Sequence, residues 1–340
     1  MSHRCFASMG VVRTVIAIVA MAPVAAQAQT AGADTPTPQR TAWGQPDLRG
    51  IWDFRTITPL ERPGTLAGKE VLTEKETAEV EEQAAQSRIE HDSSAIPDRC
   101  VGSPNFIDCI GSYNQYWFDR GTKVIPDRRT SLIVDPPDGR IPALTPEARK
   151  RADAVAEIRR RPAHGPEDRR VGTRCLVGFN SGPPMNPSAY NNNMQLFQTP
   201  EYVVIFNEMV HDSRIIPLDG RPHLPSGIRQ WMGDSRGRWE GDTLIVDTTN
   251  LTGETSFRGS GENMRVVERF TRVDADTLLY EYTIDDPESF TRSWKAMFPM
   301  RKTEGPIFEY ACHEGNYGMF NLLAGARAQE KAAAEAAKKQ

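Results

Sequence analysis

The chain predicts a mainly β protein: an antiparallel meander or partly closed barrel with two or three peripheral helices. Three observations lead there. Short β-branched and aromatic runs recur at 202–206, 238–248, 266–272, 277–284 and 290–299, separated by Gly- or Asp-containing turns. The 25 prolines oppose a helical bundle and suit ordered loops between strands. Helical patterns are confined to three stretches outside those runs.

The N-terminus comes first. His3, Arg4 and Arg13 precede an apolar run from Thr14 to Val24, then Ala26-Gln27-Ala28. This is a basic n-region, an apolar h-region of about 11 residues and a small-x-small cleavage site, the three parts of a secretory signal. The run is shorter than the ~20 apolar residues of a membrane span, so residues 1–28 read as a cleaved signal peptide. No later stretch reads as transmembrane, and the mature chain is expected to be periplasmic or secreted. Residues 29–42 are polar and without periodicity, which predicts a disordered leader. A single β-rich domain with helical insertions is expected over 43–323.

Within it, Leu72 to Arg88 is rich in Glu, Ala and Lys and predicts a surface helix, with Thr73 and Thr77 as cap candidates. Thr145 to Arg161 predicts a second, opened by Thr-Pro-Glu and stopped by Pro162. Tyr202–Phe206 is a strand. Arg238–Thr248 is two short strands around Glu240-Gly-Asp242. Val266–Arg272 and Thr277–Ile284 form a hairpin turning at 273–276, with Leu278, Tyr280 and Tyr282 on one face. Phe290–Pro299 and Ile307–Cys312 complete the meander, and residues 324–340 read as a helical tail.

Composition narrows the functional classes. The sequence is 39% hydrophobic with 6 Trp and 13 Phe, enough for a core. Its net charge of −4 and lack of a basic, aromatic-studded stripe exclude nucleic acid as the expected partner. No phosphate loop or dinucleotide fingerprint occurs, so no nucleotide cofactor is expected. There is no Gly-x-Ser-x-Gly either. Cys5 leaves with the signal, and the remaining Cys100, Cys109, Cys175 and Cys312 make an even set that predicts two disulfides. Of three connectivities, Cys100–Cys109 with Cys175–Cys312 is favoured over a thiolate metal site, because no C-x-x-C pair occurs.

Polar residues crowd into 185–263 and 309–317, a mixture of His, Asp, Glu, Arg, Asn and Trp that suits loops held around a pocket. His211 beside Asp212 and His313 beside Glu314 are candidate bases, with Arg214 or Arg236 stabilising a developing anion. Tyr190, Trp231 and Trp239, with the polar Asn192 and Asp234, are candidate ligand-binding residues. His211, His223 and His313 are candidate ligands for a transition metal, though without a standard metal spacing. The Asp-Gly-Arg triplets at 138–140 and 219–221 read as turns fixed by Asp side chains.

Long motifs cover this region: Arg-Thr-Ser-Leu-Ile-Val-Asp-Pro-Pro-Asp-Gly-Arg-Ile-Pro at 129–142, His-Asp-Ser-Arg-Ile-Ile-Pro-Leu-Asp-Gly-Arg-Pro-His-Leu at 211–224, Gly-Asp-Ser-Arg-Gly-Arg-Trp-Glu-Gly-Asp-Thr-Leu at 233–244 and Tyr-Ala-Cys-His-Glu-Gly-Asn at 310–316. In these the chain resembles a large family of secreted bacterial proteins, a resemblance that spans nearly all of the mature chain and brings no catalytic assignment. Gly50-Ile-Trp52 and Gly237-Arg-Trp239 resemble the first strand of lipocalin-like barrels, where the Gly bends the chain and the Trp plugs one end. The expected function is a periplasmic enzyme (lyase, isomerase or hydrolase type) acting on a small, partly apolar molecule by acid–base or metal-assisted chemistry. The alternative is a non-catalytic carrier of a hydrophobic small molecule.

Overall fold

Alternation of apolar and polar side chains along extended segments builds one antiparallel sheet. The computed structural model describes residues 39–93 and 119–339. Among them lie ten strands: β1 (Gly50–Asp53), β2 (Ile133–Asp135), β3 (Asn193–Gln198), β4 (Tyr202–Asn207), β5 (Ser213–Pro217), β6 (Asp234–Glu240), β7 (Thr243–Thr249), β8 (Arg265–Arg272), β9 (Thr277–Asp285) and β10 (Trp294–Thr303). The ladder runs β5-β4-β3-β1-β10-β9-β8-β7-β6, with β2 also paired to β10. A mainly β, meander-like fold is therefore present, with α1 (Glu74–Ser93), α2 (Pro146–Arg160) and α3 (Tyr317–Ala337) outside the sheet.

The predicted hairpin is the clearest match between pattern and structure. Leu278, Tyr280, Tyr282 and Ile284 of β9 are all fully buried, while the intervening residues are not. Phe270 and Glu268 of β8 stand opposite Tyr280 and Tyr282, and Phe298 and Ala296 of β10 stand on the other side of the same two residues. Gly241, at φ +60°, opens the two-residue turn that joins β6 to β7 in register Glu240–Thr243.

The inner face is filled by side chains. Trp52, Phe54, Phe270, Tyr280, Tyr282, Trp294 and Phe298 are each 1% exposed or less. Tyr280 lies 5.2 Å from Phe298 and 5.7 Å from Tyr282 between ring centres, spacings typical of favourable aromatic pairs. Gly50 sits at φ +143°, a backbone conformation open to glycine, and lets the chain turn into β1. Trp52 follows, its indole donating to Leu48 O at 2.9 Å while the Arg272 guanidinium stacks 5.8 Å over its ring.

The two ends of the ladder, β5 and β6, share no backbone register, so the sheet is not closed by hydrogen bonds. They nevertheless meet. A Cβ at Gly237 of β6 would stand 2.6 Å from Leu218 Cδ2 and 2.9 Å from Ile216 Cγ2. The second Gly-x-Trp thus uses its glycine for close approach of two strands, whereas the first uses it for a bend.

The helices start where their caps allow. Thr73 and Glu76 form a reciprocal capping box: Glu76 N donates to Thr73 Oγ1 (3.3 Å) and Thr73 N to Glu76 Oε2 (2.9 Å). α1 then runs past the predicted end at Arg88, to Ser93. Thr145 Oγ1 accepts from Ala148 N at 3.2 Å and Pro146 takes the first position of α2, as predicted. α3 begins at Tyr317, before the predicted 324, because Asn316 Oδ1 accepts from Met319 N at 3.1 Å and provides the cap.

Other expectations need correction. Ile307–Cys312 alternates in sequence but forms no strand, because no neighbouring strand pairs with it. Order begins ahead of residue 43: Asp47 N donates to Gln39 O, and Arg40 pairs with Pro46 and reaches Asp242. The Cys175–Cys312 disulfide is present, with Cα atoms 5.5 Å apart across a sequence separation of 137. Cys100, Cys109, the signal peptide and residues 29–38 lie outside the described residues. Among the described residues no helix is long and apolar enough to cross a membrane.

Candidate functional site

The gap between β5 and β6 opens into a cleft of about 670 Å³, lined among others by Asp212, Arg214, Trp231, Asp234, Ser235 and Thr252. Four of the residues singled out from sequence therefore share one cleft. Trp231 is its aromatic wall, and the Arg174 guanidinium lies 5.6 Å from the ring centre.

Asp234, the first residue of β6, is buried and organises one side of the cleft. Its Oδ2 accepts from Leu224 N (3.0 Å) and lies 2.9 Å from His223 Nδ1; its Oδ1 accepts from Arg236 Nη1 (2.6 Å). A carboxylate only accepts, so Nδ1 of His223 donates this bond, and the neutral tautomer that does so carries its lone pair on Nε2. Nε2 makes no hydrogen bond to the described residues, and the side chain is 27% exposed. The loop that carries His223 is pinned twice. Arg236 Nε donates to Pro222 O at 3.1 Å, and Asn250 Nδ2 donates to Leu224 O, Pro225 O and Ile228 O at 2.9–3.2 Å. An imidazole oriented by a carboxylate, with its other nitrogen open, can accept and return a proton.

Arg214 of β5 points to the sheet interior. It forms a bidentate pair with Glu268 of β8, Nη1–Oε2 at 2.6 Å and Nη2–Oε1 at 2.9 Å, both side chains 3% exposed or less. Tyr280 donates to the same carboxylate at 2.7 Å and accepts from Met185 N at 3.0 Å. Burial works to lower the Arg214 pKa, but the adjacent Glu268 charge and its hydrogen bonds more than offset this and hold it above the ordinary value. Burial, then the Glu268 charge, pushes the Tyr280 hydroxyl well above its usual range. Arg214 Nε is sealed from solvent without a partner, an unmet donor beside the cleft.

The remaining candidates lie elsewhere. His313 and Glu314 are exposed, in the turn between the Cys175–Cys312 disulfide and α3. Tyr190 stacks on Tyr310 (6.1 Å) and meets Phe179 edge-on (5.3 Å); burial, then its hydrogen bond to Tyr310, pushes its hydroxyl up to about 12. Asn192 is buried and ties its own loop, donating to Asp119 O and Ser188 O and accepting from Ser188 N. Trp239 packs against the core, its indole nitrogen without a partner. The side chain of His211 lies outside the described residues. Among the described residues no group of three or more His, Cys, Asp or Glu is placed to hold a metal ion. Asp138 and Asp219 fix their turns as expected, each accepting from the backbone N–H two residues on, with Gly139 and Gly220 at positive φ.

Sequence reasoning missed Glu268, Tyr280 and Ser235. Glu268 had a usable signal: it occupies the inward parity of β8 between Val266 and Phe270, where an acid demands a buried partner. Adjacent residues such as His313 and Glu314 drew attention, whereas a histidine–carboxylate pair that the described residues do form is His223–Asp234, 11 residues apart.

No family model matches the chain, and neither a curated protein nor a solved structure matches it.

Proposed function

We propose that the protein is an exported enzyme that performs acid–base chemistry on a small, partly apolar organic molecule in the cleft between β5 and β6. The observation that carries this is the His223–Asp234 pair: a carboxylate held by two further donors, an imidazole with Nε2 open, and a cleft whose wall Asp234 shares with Trp231. Trp231 offers an apolar face to the substrate. His223 is the proton-transfer group, and Asp234 fixes its tautomer and orientation. Lyase or isomerase chemistry, which needs proton transfer and no nucleophile, fits best, and hydrolysis by an activated water is the runner-up.

The sheet is read as a partly closed, lipocalin-like barrel, supported by the approach of β5 to β6 at Gly237 and by Trp52 below the bend at Gly50. The four long motifs and the N-terminal pattern support export and the resemblance to secreted bacterial proteins, and the Cys175–Cys312 disulfide accords with an oxidising compartment. The carrier alternative has less support, because the inner face is packed by its own aromatic residues.

The test is untargeted. Mature wild-type protein and the His223→Gln variant are incubated with culture extract and with panels of aromatic and terpenoid compounds, and the mixtures are compared by liquid chromatography–mass spectrometry. The expected result is a small molecule converted by wild type and spared by the variant. Equal conversion by both proteins would overturn the role of His223, and binding without conversion by either would overturn the enzymatic reading.

A further inference from the structure

A second site lies away from the cleft, where Arg62 is buried with no counter-ion among the described residues. The segment around it is clamped on two sides. Leu132 N and Ile133 N donate to Pro59 O and Leu60 O, and Arg62 N donates to Gly139 O at 2.8 Å. Gly139 sits at φ +71°, where a Cβ would press to 3.1 Å from Arg62 Cβ and Ser131 Cβ, so the turn closes directly over the arginine. Arg62 Nε donates to Thr130 Oγ1 at 3.0 Å, and that hydroxyl donates in turn to Lys69 O at 2.6 Å. The guanidinium is thereby aimed by a fixed partner.

Arg62 is 7% exposed. Among the described residues no carboxylate stands within ion-pair distance of it, and its terminal nitrogens make no hydrogen bond. Burying a charge without a partner is costly, so an ion from outside the chain is the natural compensation. Arg62 lines a cavity of about 350 Å³ together with Arg140. Arg140 also lacks an acidic partner among the described residues and donates to Arg62 O at 3.0 Å, which brings the second guanidinium to the same cavity. Two acids, Asp138 and Glu70, share the cavity lining with the two arginines. Glu61 accepts from Ile141 N, Asp138 accepts from Arg140 N, and Glu70 is exposed.

We infer that this cavity binds a small oxyanion, held by the terminal nitrogens of Arg62 inside and by Arg140 at the mouth. Guanidinium groups present planar paired donors that match phosphate and carboxylate oxygens. The volume admits an inorganic anion or a small organic acid. The carboxylates of Asp138 and Glu70 in the same lining repel extended polyanions, so the ligand is a compact anion that meets the two guanidinium groups.

The test is thermal denaturation of the full mature protein in sodium chloride, sodium phosphate and sodium succinate at matched ionic strength, with Arg140→Gln and Arg62→Gln. The expected result is a saturable rise in Tm with phosphate or succinate over chloride. Whichever anion gives the larger shift identifies tetrahedral or carboxylate chemistry. Arg140→Gln, an exposed position that leaves the fold intact, weakens the apparent affinity roughly tenfold, and Arg62→Gln abolishes the shift. Identical Tm values in all three salts, or a shift unchanged by Arg140→Gln, would overturn the site. Should Arg62→Gln fail to fold, Arg62→Lys serves instead, keeping the charge but losing the paired donors. No turnover enters the experiment, so its outcome is independent of the cleft.

Discussion

Arg214 on β5 and Glu268 on β8 clasp each other in the sheet interior although their strands lie six places apart along the ladder. Only a strongly curled sheet brings them together, and the pair holds one free edge of that sheet against its opposite half. Replacing Arg214 by Met leaves Glu268 buried without its cation and should destabilise the protein by about 3–5 kcal/mol. The double variant Arg214→Met/Glu268→Leu should lose less than either single variant, because it removes both charges. Tyr280→Phe should cost about 1–3 kcal/mol, because it removes two buried hydrogen bonds and leaves the Met185 N–H unmet. Urea unfolding midpoints at unchanged slope check all three.

Gly237 is where the free edges touch. Gly237→Val drives a side chain into Leu218 and Ile216 and should cost about 1–3 kcal/mol by overpacking. Hydrogen exchange should then quicken in β5 and β6 and stay slow in β9, which has a paired strand on both sides. Uniform acceleration along the ladder would mean that the edges do not act as a local seam.

The disulfide ties the 175 region to the segment ahead of α3 over a long loop. Cys175→Ala/Cys312→Ala should lower stability by about 2–5 kcal/mol and loosen α3 first, seen as faster proteolysis near residue 317. A non-reducing peptide map of the wild type should recover the Cys175 and Cys312 peptides joined.

Tyr190 gives a pH prediction. Its folded-state pKa of about 12 exceeds the ordinary tyrosine value of 10. The neutral form is thus favoured in the folded state. The associated stability is present below pH 10 and fades as pH rises through about 12. Ultraviolet titration of the phenolate band should show a step near pH 12 that Tyr190→Phe removes.

How much of this was readable from sequence depends on the range of the interactions. The β8–β9 hairpin and the caps of α1 and α2 were legible because hairpin register and capping are settled within a few residues. β3 and β5 were not, because Asn-Met-Gln-Leu-Phe-Gln has no β-branched residue and Ser-Arg-Ile-Ile-Pro is short and charged. Nor was β1, four residues marked only by its Gly-x-Trp, which pairs with β3 and β10 far away in the chain. Ile307–Cys312 shows the converse, a strand-like alternation with no partner to pair with. For the site, the polar crowding over 185–263 contains Asp212, Arg214, Trp231 and Asp234, which do meet in one cleft, whereas the crowding over 309–317 does not line it. The partner of Asp234 was hidden. His223 reaches Asp234 only because the loop from Pro222 to Ile228 folds back under the hold of Arg236 and Asn250.

The most direct test of His223 as the proton-transfer group is kcat/KM on the compound that the wild type converts, measured for wild type, His223→Gln, Asp234→Asn and His313→Gln in parallel. His223→Gln and Asp234→Asn should each fall by roughly 10²–10⁴-fold, the usual contribution of general acid–base catalysis, while His313→Gln, altered at an exposed turn, keeps its activity. Full activity in His223→Gln would contradict the assignment, and so would a loss confined to His313→Gln.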